Sequence, residues 1–209
     1  MSGQGRSSGK ASAVIFFQEE ITDVRRQTRN VLNQAGFSNV QELKTQEDIR
    51  AAFVKAVPDL LILDSSMEDV TGLIRDIRFN RAGVDPFMPI FVTLWNPSSE
   101  DIKAIVQSGP DDILVKPLAP KTLLDRIKTV IQSRKVFVFT ENYVGPDRRK
   151  DLLRAKDGPY VRPVPNRLAA RVLGKAYDMA DHKAACGMIP SGRTQSTTQG
   201  DRTASNASR

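Results

Sequence analysis

A single cysteine, Cys186, and a single histidine, His182, stand in 209 residues. One thiol rules out an intrachain disulfide, and one residue of each kind leaves no Cys/His cluster for zinc. Long apolar runs are also missing, so no segment reads as a membrane span. The first twelve residues are rich in Ser and Gly and carry Arg6 and Lys10, but the apolar run that follows, Ala13 to Phe17, is too short for a signal peptide. A cytoplasmic protein is therefore expected. Nor does a glycine-rich loop follow that run, which ends in Gln18-Glu19-Glu20. This argues against a nucleotide-dependent enzyme that admits phosphates to a helix terminus.

Charge is unevenly shared. Residues 1–134 hold 17 Lys and Arg against 17 Asp and Glu, whereas residues 135–209 hold 14 against 7, so 0 and +7 make up the net +7. The neutral part has the character of a domain, and the basic part that of an appendage.

Along the neutral part, short apolar runs alternate with helical periodicity. Ala13–Phe17 reads as a strand; Val24, Thr28, Val31, Leu32 and Ala35 then recur at helical spacing until Gly36 stops them. Val40–Leu43 is a second, weaker strand, and Thr45 caps a helix with Ile49, Ala52 and Phe53 on one face. Leu60–Leu63 is an unbroken apolar run of the kind buried on both faces of a parallel sheet, and it ends at Asp64. A loop and a helix through Leu73, Ile74 and Ile77 follow. Pro89–Leu94 is a fourth strand, Ser98 or Ser99 caps the next helix, and Ile113–Val115 makes a fifth strand ending in Lys116-Pro117. Leu123, Ile127, Val130 and Ile131 line a fifth helix. Five such repeats in about 120 residues predict an α/β fold, a doubly wound parallel sheet with helices on both faces.

The reading divides the rest as follows. Residues 1–12 and 190–209 are expected to be disordered, the latter from their Ser, Thr, Gly, Gln and Arg content. Residues 135–165 read as a strand-like segment and a Pro-rich linker with the basic cluster Arg148-Arg149-Lys150, and residues 166–189 as one amphipathic helix. The extension as a whole is expected to be largely irregular.

Polar groups now arrive from three strand ends: Glu19 and Glu20, Asp64, and Lys116. In open α/β sheets the carboxyl ends of the strands are where chemistry collects. Clustered carboxylates form a hard-oxygen site suited to Mg²⁺, and an ammonium beside them can pair with a phosphoryl oxygen. That is equipment for phosphoryl transfer onto Asp64. Taken singly, Asp64 reads as a loop cap, Glu19 and Glu20 as first-turn acids, and Lys116 as a surface lysine; it is their convergence that favours chemistry.

These residues resemble the receiver domains of bacterial two-component response regulators over about residues 13–134. Glu19-Glu20 stand where the family's acidic pair follows the first strand, and Val24-Arg25-Arg26 through Ala35-Gly36-Phe37 resembles its first helix. Asp64, with Met67 and Gly72 after it, sits like the phosphoacceptor, and Lys116-Pro117 like the family's Lys-Pro pair. The resemblance implies a flavodoxin-like sheet of order 2-1-3-4-5. It also implies Mg²⁺ held by Glu19, Glu20 and Asp64, phosphate contact by Lys116, and phosphorylation by a histidine kinase or phosphotransfer protein. No enzyme is expected beyond a phosphoacceptor that assists its own phosphorylation and hydrolysis.

Four positions depart from the family pattern. Glu replaces Asp in the acidic pair, pushing each carboxylate out by about 1.5 Å. The hydroxyl residue that ends the fourth strand falls on Leu94, with Thr93 one place earlier on the other face. The switch aromatic is Ile113, and Glu68 replaces a proline. Trp95 is left as a residue with a related steric part. Two rivals follow: a pseudo-receiver acting as a constitutive protein-binding module, and a nucleic-acid-associated regulator using the basic extension. The mixed acids of the extension, with no helix-turn-helix or zinc motif, argue against the second.

Overall fold

Short β-branched and aromatic runs separated by capped amphipathic helices leave each run flanked by apolar helical stripes, and the chain winds accordingly. The structure, a computed structural model, describes residues 7–149 and 160–191. A helix α1 (Ser7–Ser12) precedes five strand-helix units. These are β1 (Val14–Gln18) and α2 (Thr22–Gln34), β2 (Asn39–Leu43) and α3 (Gln46–Lys55), β3 (Leu60–Asp64) and α4 (Val70–Arg78), β4 (Ile90–Trp95) and α5 (Ser99–Ser108), and β5 (Asp112–Lys116) and α6 (Pro120–Gln132). The strands pair in parallel in the order β2-β1-β3-β4-β5.

Local chemistry sets the helix starts. Thr45 and Asp48 form a capping box at α3, and Ser98 and Asp101 another at α5, each satisfying two otherwise orphaned N–H groups. One sheet face packs Phe16, Leu61, Leu63, Val92 and Leu94 against α3, α4 and α5. The other packs Ile15, Phe17, Ile62, Phe91 and Leu114 against α2 and α6. Each such buried side chain stabilises the fold by about 1.5–3 kcal/mol.

The described part of the extension carries more regular structure than expected. It forms β6 (Phe137–Thr140), β7 (Tyr143–Pro146) and β8 (Val161–Arg162), an antiparallel sheet of order β7-β6-β8, followed by α7 (Arg167–Leu173) and α8 (Met179–Cys186). The single helix expected over residues 166–189 is thus two. Gly174 takes φ 65°, a left-handed conformation open to glycine without strain, and it caps α7 so that the chain turns before Asp178 starts α8. Residues 7–12, expected to be disordered, are helical and pack on α7. The first six residues, Lys150 with the linker through Pro159, and the tail beyond Ser191 lie outside the described residues.

A buried ionic cluster at the amino ends of β4 and β5 holds the extension. The Arg78 guanidinium, fully buried, donates to the carbonyls of Gly109, Pro86 and Met88 and to Asp111 Oδ2 at 2.8 Å. Arg134 donates to both oxygens of Asp111, at 2.7 and 3.0 Å, and to the carbonyls of Phe87 and Pro165. Both guanidinium groups lie over the Phe137 ring, and Phe87, Phe137, Phe139 and Val144 make a third apolar cluster. Burial pushes the Arg78 pKa down to about 10, against the pull of Asp111. A second lock is Asp59 at the start of β3, which accepts from the Val14 N–H and pairs with Arg167 and Arg171 of α7. In the expected basic cluster, Arg148 donates to the Pro110 carbonyl and Arg149 pairs with Asp147.

Asp111→Asn leaves two buried guanidinium groups facing a neutral amide, and urea denaturation at pH 7 is expected to show a loss of about 3–5 kcal/mol. Burial opposes the Asp111 carboxylate, but Arg134 and Arg78 hold its pKa below the ordinary 3.8. Its stabilisation is therefore complete above the unfolded value and is lost as pH falls through the folded one, so the gap between wild type and variant should close below about pH 4.

Candidate functional site

Because the five strands run parallel, their carboxyl ends share one edge, and that edge collects the polar residues that end the apolar runs. Asp64 closes β3 opposite Thr93 in register, and Lys116 closes β5 opposite Trp95. Glu19 follows β1 directly. Their side chains meet: Lys116 Nζ lies 2.5 Å from Glu19 Oε2 and 2.9 Å from Asp64 Oδ2, with all three residues buried. The remaining oxygens are also engaged. Glu19 Oε1 accepts from the Ile21 N–H at 3.0 Å, and Asp64 Oδ1 from the Ser66 N–H at 3.1 Å. Burial raises the Glu19 pKa despite its bond to Lys116. Asp64 is held below its ordinary value: burial works against the charged form, but the Lys116 and Ser66 hydrogen bonds prevail.

Surrounding contacts fix the frame. The Gln18 amide, buried at the end of β1, accepts from the Asp64 N–H at 3.1 Å and donates to the Lys44 carbonyl at 3.3 Å. Arg25 donates to the carbonyls of Glu19 and Glu20 and pairs with Glu42, bracing the turn after β1. The Lys116-Pro117 peptide is cis. Asp69 caps α4 by accepting from the Gly72 N–H, and a Cβ on Gly72 would meet that carboxylate at 2.1 Å, so a larger residue there would have to displace the capping side chain. A pocket of about 430 Å³ opens beside Glu19 and Lys116 between α2 and α6, with Phe17, Val31, Thr93, Trp95 and Leu123 in its wall.

The response regulator receiver domain family matches residues 15–128, more than half of the chain. The chain belongs to that family. Among curated relatives, the transcriptional regulatory protein GltR of Pseudomonas aeruginosa is 31% identical over 134 residues, covering 63% of this chain and 51% of GltR. The phosphate regulon transcriptional regulatory protein PhoB of the same organism is 28% identical over 119 residues, covering 56% and 51%. The chain thus spans about half the length of either relative. Among solved structures, the chemotaxis response regulator CheY4 of Vibrio cholerae superposes with a TM-score of 0.50 at 24% identity, covering 56% of this chain and 98% of that one. That likeness shows the receiver fold. No described helix is long and apolar enough to cross a membrane.

Within this receiver, the sequence-predicted residues do not all converge. Glu19, Asp64 and Lys116 do; Glu20 is exposed. Leu94 packs in the core beneath α5, and Ile113 packs against the same cluster. Thr93 lines the pocket that Glu19 and Lys116 also line, and its hydroxyl donates to the Leu63 carbonyl at 3.3 Å. Trp95, partly exposed, borders that pocket and a smaller one lined by Ser65, Thr71 and Ile105, with its ring centroid 5.7 Å from the Lys116 ammonium.

Receiver domains commonly take Mg²⁺, and the donor set tests whether this one fits it. Mg²⁺ needs oxygen ligands at about 2.0–2.1 Å in near-octahedral array. Both oxygens of Glu19 and both of Asp64 already have partners, and among the described residues no three His, Cys, Asp or Glu side chains group to hold an ion. A divalent cation on these oxygens would have to compete with the Lys116 ammonium, which already bonds one oxygen of each carboxylate and would lie at short range from it as a like charge. The arrangement does not fit the metal.

Gln18 and Arg25 complete the site in ways that residue spacing did not show, whereas Trp95, expected to play a steric part, borders it. A polar residue closing the apolar run Val14–Phe17 is the available signal for Gln18. Replacing Gln18 with Leu strands the buried Asp64 N–H and the Lys44 carbonyl, and a loss of about 1–3 kcal/mol in urea denaturation is expected.

Proposed function

We propose that this receiver accepts a phosphoryl group on Asp64 from a histidine kinase or phosphotransfer protein in the cytoplasm and thereby switches a protein-binding face. The supporting observation is the Asp64 carboxylate, buried at the carboxyl edge of the sheet, held in its charged form and 2.9 Å from the Lys116 ammonium. An Asp64 oxygen attacks the phosphorus of the donor's phosphoimidazole, forming an O–P bond as the P–N bond breaks and its electron pair returns to the imidazole. Lys116, already hydrogen-bonded to Asp64 Oδ2, transfers that contact to the phosphoryl oxygens. Water later cleaves the acyl phosphate and restores Asp64.

Phosphorylation adds charge beside Lys116, and the loops after β3 and β4 respond. With Leu94 in the core and the Thr93 hydroxyl donating to the Leu63 carbonyl, Trp95 is the residue that feels the change, through its contact with Lys116. A coupling of about 1–3 kcal/mol to the partner face is the usual scale. The engagement of Arg148 and Arg149 within the chain supports a protein partner rather than nucleic acid.

A second reading, a constitutive pseudo-receiver, is favoured by one observation: Lys116 already bridges Glu19 and Asp64. Intact mass after incubation with acetyl phosphate or a phosphorylated histidine kinase separates the two readings. The leading one expects one added phosphoryl group in wild type and none in Asp64→Ala. No gain in wild type from either donor leaves the pseudo-receiver.

A further inference from the structure

Each of the four carboxylate oxygens of Glu19 and Asp64 accepts a hydrogen bond from within the chain, and one oxygen of each is shared with the same ammonium. The longer Glu side chain spans from the end of β1 to the ammonium at the end of β5, where Oε2 meets Nζ at 2.5 Å. Its other oxygen is tied back to the Ile21 N–H, and Arg25 grips the carbonyls of Glu19 and Glu20, so the turn that carries the carboxylate is held in place. Asp64 is tied in the same way, by Ser66 to one oxygen and Lys116 to the other, while Gln18 accepts from its backbone N–H. Glu20, the acid left over, is exposed.

The geometry assigns Lys116 the place of the divalent cation: its ammonium is the resident counter-ion of the Glu19–Asp64 pair, and the resting receiver binds no Mg²⁺ there. This concerns the site discussed above without resting on phosphorylation. The test uses no phosphodonor, so its failure leaves the phosphoacceptor reading untouched, and the reverse also holds.

Two properties of the chain make the test direct. Trp95 is the only tryptophan in the sequence, and its ring lies 5.7 Å from the ammonium, so its fluorescence reports on this site. A ligand that binds only the folded state also raises Tm in proportion to its occupancy. The full chain is titrated with MgCl₂ at constant ionic strength, reading Trp95 fluorescence and Tm. Wild type is expected to show no saturable change in either. Lys116→Ala, which leaves two buried carboxylates without their cation, should have a lower Tm than wild type in EDTA and regain stability with Mg²⁺. That recovery should vanish when Glu19→Gln is added. Should Lys116→Ala fail to fold, as judged by circular dichroism, Lys116→Gln replaces it with a neutral side chain that retains hydrogen-bonding capacity. A saturable Mg²⁺ response in wild type overturns the assignment. So does a folded Lys116 variant that Mg²⁺ leaves unchanged.

Discussion

The ammonium of Lys116 lies between two carboxylates that come from distant parts of the chain, and the carboxyl edge of the sheet is arranged around it. Glu19 and Asp64 are both buried and cannot keep their negative charge there unless a cation joins them. Lys116 reaches both at once because β1, β3 and β5 run parallel and end at one edge. Each carboxylate also spends its second oxygen on a nearby backbone N–H, so geometry as well as charge is fixed. Removing one member therefore does more than delete one contact: it leaves the other two in a state that burial penalises.

At the opposite edge a second buried ionic cluster solves a different problem. Asp111 bridges Arg78 and Arg134 and offsets one of their two positive charges, and their remaining donors satisfy carbonyls of the loops before β4 and β5 and of the segment before α7. Phe137 of the extension covers both guanidinium groups. The described part of the extension is thus built into the receiver's far edge through Arg134 and Phe137. On the proposed function, the phosphoacceptor lies at the carboxyl edge of the sheet and this attachment at the amino edge.

Much of this was legible in the residues. Asp64 and Lys116 end unbroken apolar runs, and although each alone reads as a cap or a surface lysine, their arrival with Glu19 and Glu20 at three strand ends favoured chemistry; alternation of runs and periodic helices ordered the sheet. Arg78 was harder. It stands four residues after Ile74, on the buried stripe of α4, but an arginine at the end of a helix reads equally well as solvent-facing. Only the tertiary arrival of Asp111 makes its burial tolerable. The two-helix ending was signalled by Gly174, whose stop was overridden by a continuing apolar period. Residues 7–12 carry a Ser- and Gly-rich composition that predicts disorder, and they are helical because α7 supplies a surface to pack on.

The departures from the family pattern also constrain how any change at Asp64 can be read. A hydroxyl at the end of β4 senses a phosphoryl group by donating a hydrogen bond, and Leu94 has none to donate. Thr93, on the Glu19 side of the sheet, donates instead to the Leu63 carbonyl, a neighbour that phosphorylation does not alter chemically. What does change is the set of groups sharing the Lys116 ammonium, and one of these is the Trp95 ring. Trp95 stands opposite Lys116 in register and between two pockets, with room on either side. When a dianion draws the ammonium, the balance of attraction on that ring shifts while the backbone of β4 stays in its ladder. On the proposed function, then, readout at this site is carried by the position of a large aromatic side chain in place of a relayed hydrogen bond.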